Sequence, residues 1–144
     1  MKQEIDVFKY FNNRPDGKVI DGDCSTRCLG ICLNKSYNET LRIQNKYSKE
    51  HNVPIDSEKA WDGVLFDVGW KRIYIPFKLR RNEFAILTNG SSHPIATHSD
   101  GHVCAVFNGK VLDTWDSQKL MLRYVVCHPS DVKMVKEMLK KANG

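Results

Sequence analysis

Apolar residues recur along the chain in two rhythms, and the change between them falls near Trp70. In the first half the spacing is helical. Ile5, Phe8 and Phe11 lie three apart, which predicts a short helix within residues 1–12, ended by the turn cluster NNRPDG. In CSTRCLGICLN, residues Cys24, Cys28, Ile31 and Cys32 would share one helical face. Ser36 followed by Glu39 is a capping-box pattern, so a second helix is expected to begin near Tyr37, carry Leu41, Ile43 and Tyr47, and end before Pro54. Ser57 opens a third helix through AWDGVLFDV, with Gly63 as its weak point.

After Trp70 the rhythm shortens to that of strands. KRIYIPF is β-branched and aromatic, EFAILT is a short apolar run, and HPIATHS is bounded by the turn signals NGSS and SDG. HVCAVF and KVLDTW alternate and are separated only by Asn108 and Gly109, the preferred pair for a two-residue hairpin turn. MLRYVV gives one more strand. Pro129 and Ser130, the latter as cap, then lead into a basic helix carrying Val132, Val135, Met138 and Leu139. Helices first and an antiparallel sheet second is an α+β plan, with residues 1–144 as one domain.

A two-residue loop fixes which residues face each other. Phe107 must lie opposite Lys110, Cys104 opposite Asp113, and His102 opposite Trp115. Alternation then places His102, Cys104, Val106, Val111, Asp113 and Trp115 on one face, with His102 and Asp113 as diagonal neighbours about 7–8 Å apart at the backbone. Asp116 has the opposite parity.

Composition narrows the class. The 144 residues are 41% hydrophobic and 27% charged, enough for a core and too apolar for wholesale disorder. Lys and Arg exceed Asp and Glu by 22 to 17, which accommodates a nucleic-acid partner without requiring one. No run approaches the roughly 20 apolar residues of a membrane span, and MKQEIDVFKY lacks a signal-peptide core, so a soluble cytoplasmic protein is expected. Five cysteines, an odd number in a chain that needs no stapling, point to reduced thiols.

Of the three thiols in DGDCSTRCLGIC, only Cys24 stands at a helix N-terminus, where free N–H groups and the dipole stabilise a thiolate. Arg27 adds positive potential, Asp21 and Asp23 oppose it, and the sign of the sum is open. A zinc site on all three is excluded by length, because residues 24 to 32 span about 12 Å of helix and zinc bonds are about 2.0–2.3 Å. Two adjacent cysteines joined by His102 or Cys104 would still fit.

GDCSTRCLGICLNKSYNE with the downstream GHVCAVFNGKVLDTWDS resembles the small papain-like cysteine peptidase domains common in bacteriophage and bacterial genomes. The resemblance covers roughly residues 20 to 128. It implies a papain-like α+β fold and a triad of Cys24 as nucleophile, His102 as general base and Asp113 as orienting acid, with Asp116 as the competing acid; His98, four residues earlier on the preceding strand, is a substitute base by position. Trp115 would roof the site. The expected chemistry is acyl transfer on a peptide, isopeptide or amide bond, with no metal or cofactor, in the host cytoplasm if the gene is phage-borne. Substrate pockets are expected from loops 12–23, 67–72 and 88–101. One departure stands out: no Gln lies between Gln3 and Gln44, so an oxyanion would rely on the Cys24 N–H plus Asn13 or a turn amide. Losing one such donor typically costs about 10²–10³ in rate. A papain-like fold kept for binding a host protein is therefore the alternative.

Overall fold

The Asn108–Gly109 turn sets the register of the hairpin it closes. Both residues have positive φ, 51° and 73°, as a turn matched to strand twist requires. Phe107 pairs with Lys110, Val106 with Val111 and Ala105 with Leu112, the register the sequence predicts. In the computed structural model, which describes residues 5–144, the elements in chain order are β1 (Phe8–Tyr10), α1 (Cys24–Leu33), α2 (Tyr37–His51), α3 (Glu58–Asp67), β2 (Lys71–Tyr74), α4 (Arg81–Leu87), β3 (Ile95–Ser99), β4 (His102–Phe107), β5 (Lys110–Asp113), β6 (Tyr124–Cys127) and α5 (Val132–Ala142). The strands form one sheet in the order β1-β5-β4-β3-β6-β2.

This is an α+β architecture, but the segregation expected from sequence is not kept. EFAILT belongs to α4, not to a strand. The Glu83 carboxylate accepts from the Arg80 N–H at 3.0 Å, starting a helix that buries Arg81, Phe84 and Ala85 on one side. Residues 5–12 are not helical, and the part of that expectation on residues 1–4 lies outside the described residues. Phe8–Tyr10 instead runs parallel to β5 at the sheet edge, with Val111 N–H donating to Val7 O at 2.9 Å. An open strand edge offers backbone partners that three apolar residues at helical spacing cannot match in a segment this short. The sheet is consequently mixed.

Helix starts follow the sequence where the cap is local. Ser36 Oγ accepts from Glu39 N–H at 3.1 Å and Ser57 Oγ from Ala60 N–H at 3.3 Å. Gly63 leaves room for Tyr47, because a Cβ there would sit 1.9 Å from the Tyr47 hydroxyl and displace the ring. Ser130 does not cap α5; Asp131 occupies the cap position after a short 3₁₀ turn, Pro129–Asp131.

Two apolar layers flank the sheet. Cys28, Leu29 and Cys32 of α1 pack with Trp61, Val64 and Leu65 of α3 on Val103, Ala105 and Val126. On the other side Phe84, Val135 and Leu139 cover Ile73, Ile95 and Val125. Cys104, Val106 and Val111 pack together with Ala85, as alternation predicts for that face of the hairpin. Among the described residues no helix is long and apolar enough to cross a membrane.

Candidate active site

Helix α1 begins at Cys24, directly after the Asp21–Gly22 turn, and its first turn is held from behind. Gln44 Nε2 donates to Ser25 Oγ at 3.0 Å and Thr26 Oγ1 donates to Gln44 Oε1 at 2.6 Å, so Gln44 straps the helix and does not line the cleft. Asp23 is the N-cap residue but makes no side-chain cap bond. Its carboxylate accepts from Arg27 Nε at 3.0 Å and from the Tyr37 hydroxyl at 3.2 Å. Of the two charges that oppose a thiolate in the sequence, that of Asp23 is thus offset by Arg27. Arg27, buried to 7% exposure, is no surface residue.

The other half comes from the hairpin. His102 opens β4 and Asp113 ends β5, and their side chains close the diagonal gap: His102 Nε2 lies 2.7 Å from Asp113 Oδ2. Asp113 is fully buried and satisfied by four groups. Its Oδ2 also accepts from Ser117 Oγ at 2.5 Å, and its Oδ1 accepts from Arg27 Nη1 at 3.1 Å and the Thr114 N–H at 2.8 Å. The Phe11 N–H donates to the Asp113 carbonyl at 2.9 Å, so the residue after β1 pins the strand end that carries the acid.

These contacts set the charges. Burial raises the Asp113 carboxyl, but His102, Ser117, and the Thr114 N–H outweigh it and hold the group well below the usual range. Burial lowers His102, yet Asp113 foremost, then Cys104 and Cys24, push it up to about 11. Burial raises the Cys24 thiol, and the His102 imidazole, the Val103 N–H and the Arg27 charge bring it below its ordinary value. Cys24 and His102 therefore favour each other's charged forms, with His102 Nε2 on the carboxylate. Both groups line a cleft of about 320 Å³ with Val19, Ile20, Asp21, Gly22, Asp56, Trp61 and Trp115. Trp115 is 47% exposed with its ring 4.7 Å from that of His102, although β5 ends at Asp113 and the two are not paired across the hairpin as the register predicts.

Other candidates are placed elsewhere. Asp116 accepts from Gln118 and does not contact His102. Asn13 donates its amide to the Arg27 carbonyl at 3.2 Å and lines a separate cavity with Gly30 and Ile31, so it does not reach the cleft as an oxyanion donor. His98 is sealed at 1% exposure beside Asp62. The segment 67–72 contributes nothing to the cleft, since Trp70 is core and β2 is the far edge strand. Cys28, Cys32, Cys104 and Cys127 are all buried free thiols, and contact with Cys32 together with burial pushes Cys28 well up. The ligand atoms of His102, Cys104 and Asp113 lie within 4.8 Å of one another. At 2.7 Å the His102 nitrogen and Asp113 oxygen are hydrogen-bonded, whereas two atoms on one tetrahedral zinc stand about 3.3 Å apart. As arranged, the pair holds a proton and not an ion.

Three supporting residues escaped the sequence reading. Thr114 sits in the KVLDTW segment read as a strand, Ser117 lies just beyond it, and Arg81 falls in the stretch between KRIYIPF and EFAILT to which the sequence assigns no element. Arg81 is fully buried and donates to Thr97, Ser99, Ser117 O and His102 O, joining the strand that carries the histidine to the loop that supports the acid. Arg81 carries no local signal because its partners are 16 to 36 residues away, whereas Thr114 and Ser117 reach Asp113 from one and four residues away, where the end of β5 decides the contact. Compared with known family models, curated proteins and solved structures, the chain matches none.

Proposed function

We propose that this protein is a papain-like thiol hydrolase or acyltransferase acting on a peptide, isopeptide or amide bond. The observation that carries the reading is the His102–Asp113 pair, held by four donors to one carboxylate, beside a lowered Cys24 thiol in an open cleft. Cys24 sulfur attacks the carbonyl carbon and the S–C bond forms. The oxyanion faces the Cys24 N–H at the start of α1. As the C–N bond breaks, the His102 imidazolium gives its proton to the leaving nitrogen, producing a thioester and a neutral imidazole. His102 then takes a proton from water or another acceptor, which attacks the thioester and restores the thiolate. Five free thiols are in keeping with a reducing cytoplasm.

A second reading, a weakly catalytic fold that binds a host protein, is favoured by one observation. No Asn or Gln lines the cleft among the described residues, so no side-chain amide is there to receive the oxyanion. The test is modification by a neutral thiol-directed electrophile across pH for the parent, Cys24→Ala and His102→Ala. We expect selective, His102-dependent labelling of Cys24 well below pH 8.5; equal slow labelling of several cysteines would refute the enzyme. A host partner that co-purifies equally with Cys24→Ala would support the binding role.

A further inference from the structure

Three carboxylates border Cys24, and only one of them is used. Asp23 is taken by Arg27 and Tyr37. Asp21 and Asp56 are exposed and have no hydrogen-bond or ion-pair partner among the described residues. Both line the Cys24 cleft, and both also line an adjoining cavity of about 280 Å³ that includes Leu41 and Ile55. The four shared lining residues, Ile20, Asp21, Gly22 and Asp56, therefore form a saddle between the two spaces.

No free cation faces this saddle from the described lining residues. Arg27 is neutralised by Asp23 and Asp113, and Arg14 is held by Asp16 at 2.7 Å and the Tyr37 hydroxyl at 2.9 Å. A chain of formal charge +5 thus presents an uncompensated negative site beside its reactive thiol. Two further features point to what fills it. Trp61, 8% exposed, lines the same cleft, and its indole N–H has no acceptor. Val19 and Ile20 on the rim are 60% and 41% exposed, which suits the apolar stem of a long cationic side chain.

We propose that the cleft selects a cationic polypeptide segment: a lysine or arginine side chain lies across Asp21 and Asp56, a neighbouring backbone carbonyl accepts from the Trp61 indole, and the adjacent carbonyl meets Cys24. This inference rests on the acyl-transfer reading. It specifies the substrate class that reading leaves open.

The test compares methanethiosulfonates that deliver a trimethylammonium-ethyl, a sulfonatoethyl or a methyl group to Cys24, each rate divided by that reagent's rate with 2-mercaptoethanol. The methyl reagent is the reference for each protein. At low salt we expect the cationic reagent to be favoured over the anionic one by about 10- to 100-fold, since each carboxylate lining the cleft contributes about three- to tenfold. Added salt should shrink the preference. Asp21→Asn with Asp56→Asn should bring it within about threefold of unity, and Asp67→Asn with Glu137→Gln, an equal charge change on α3 and α5 away from the cleft, should not. A parent ratio near one, or a double variant with an unchanged ratio, overturns the proposal while leaving the thiolate reading intact. Loss of His102-dependent reactivity with the methyl reagent removes both. Finally, acetyl-Gly-Lys-Gly-amide should protect Cys24 from the methyl reagent better than its Glu counterpart and better than putrescine; equal protection by putrescine would refute a peptide as the ligand.

Discussion

Two His–Asp pairs lie on neighbouring strands of this sheet, and they differ in what surrounds them. His98 on β3 sits opposite Val103, one residue beyond His102 on β4. His98 Nε2 is 3.0 Å from Asp62 Oδ1, and both residues are 1% exposed. The His98 ring stacks on Tyr124 at 4.2 Å and on Trp61 at 6.1 Å, and the second Asp62 oxygen accepts from Arg72 at 2.9 Å and the Tyr124 hydroxyl at 2.6 Å. Its remaining nitrogen, Nδ1, is buried without a partner. At the corresponding place His102 has a thiol and a cleft. An imidazole on a carboxylate is therefore not in itself a reactive site. In one case it fastens α3 to the sheet, and in the other it faces a group whose proton it can move.

The sharpest way to separate the pairs is to delete each imidazole. His102→Ala should slow Cys24 modification at pH 7 by about 10³-fold, equivalent to about 4 kcal/mol, with the fold retained. His98→Ala should leave His102-dependent labelling in place; its effect should be on denaturant stability, which a urea titration would show as a loss of about 2–3 kcal/mol. If His98→Ala were the variant that abolished labelling, the assignment of roles would be reversed.

Removing the acids gives the next largest effect. Asp113→Asn leaves Arg27 buried with one carboxylate in place of two, and should destabilise by about 3 kcal/mol while raising the Cys24 thiol toward its ordinary value. Asp62→Asn should destabilise by about 2 kcal/mol, less because Arg72 is partly exposed and can be solvated. Labelling rates should distinguish them, since only the first variant moves the pH at which Cys24 reacts.

Stability against pH should carry the mark of His102. Its value is raised from the unfolded 6.5 to about 11, so its contribution is complete below about pH 6.5 and is lost as pH rises through 11. Asp113 works oppositely: its value is lowered, so its contribution is present above the unfolded carboxyl range and fades as pH falls. Between pH 7 and 11 the parent should lose stability more steeply than His102→Ala, measured by urea midpoints. A parallel decline would sink this assignment. The smallest effect belongs to Asp116→Asn, expected within about 0.5 kcal/mol and about twofold in labelling, because Asp116 contacts Gln118 and not the histidine.

What could be read from the sequence was carried by short-range chemistry. Asn108 and Gly109 dictate a two-residue turn, and parity then puts His102 and Asp113 on one face without the help of any tertiary contact. Ser36 and Ser57 marked helix starts because their partners are three residues away. Cys24 could be separated from Cys28 and Cys32 by helix position alone. The misreadings share the opposite property. Phe8–Tyr10 became a strand because β5 had an edge to pair, EFAILT became a helix because Arg81 found acceptors on β3, β4 and the 117 loop, and Asn13 was taken by the Arg27 carbonyl.

Sequence by itself therefore determined the elements of the site, since turns, caps and alternation depend on neighbours a few residues apart. Tertiary structure decided their charges. Arg27 is a surface arginine or a buried bridge, and Asp23 a threat to the thiolate or a paired ion, according to packing across 86 residues between Arg27 and Asp113. It also left Asp21 and Asp56 unpaired in the cleft. No local pattern encodes burial and ion pairing of this range, because both depend on which distant segments exclude water from the same place.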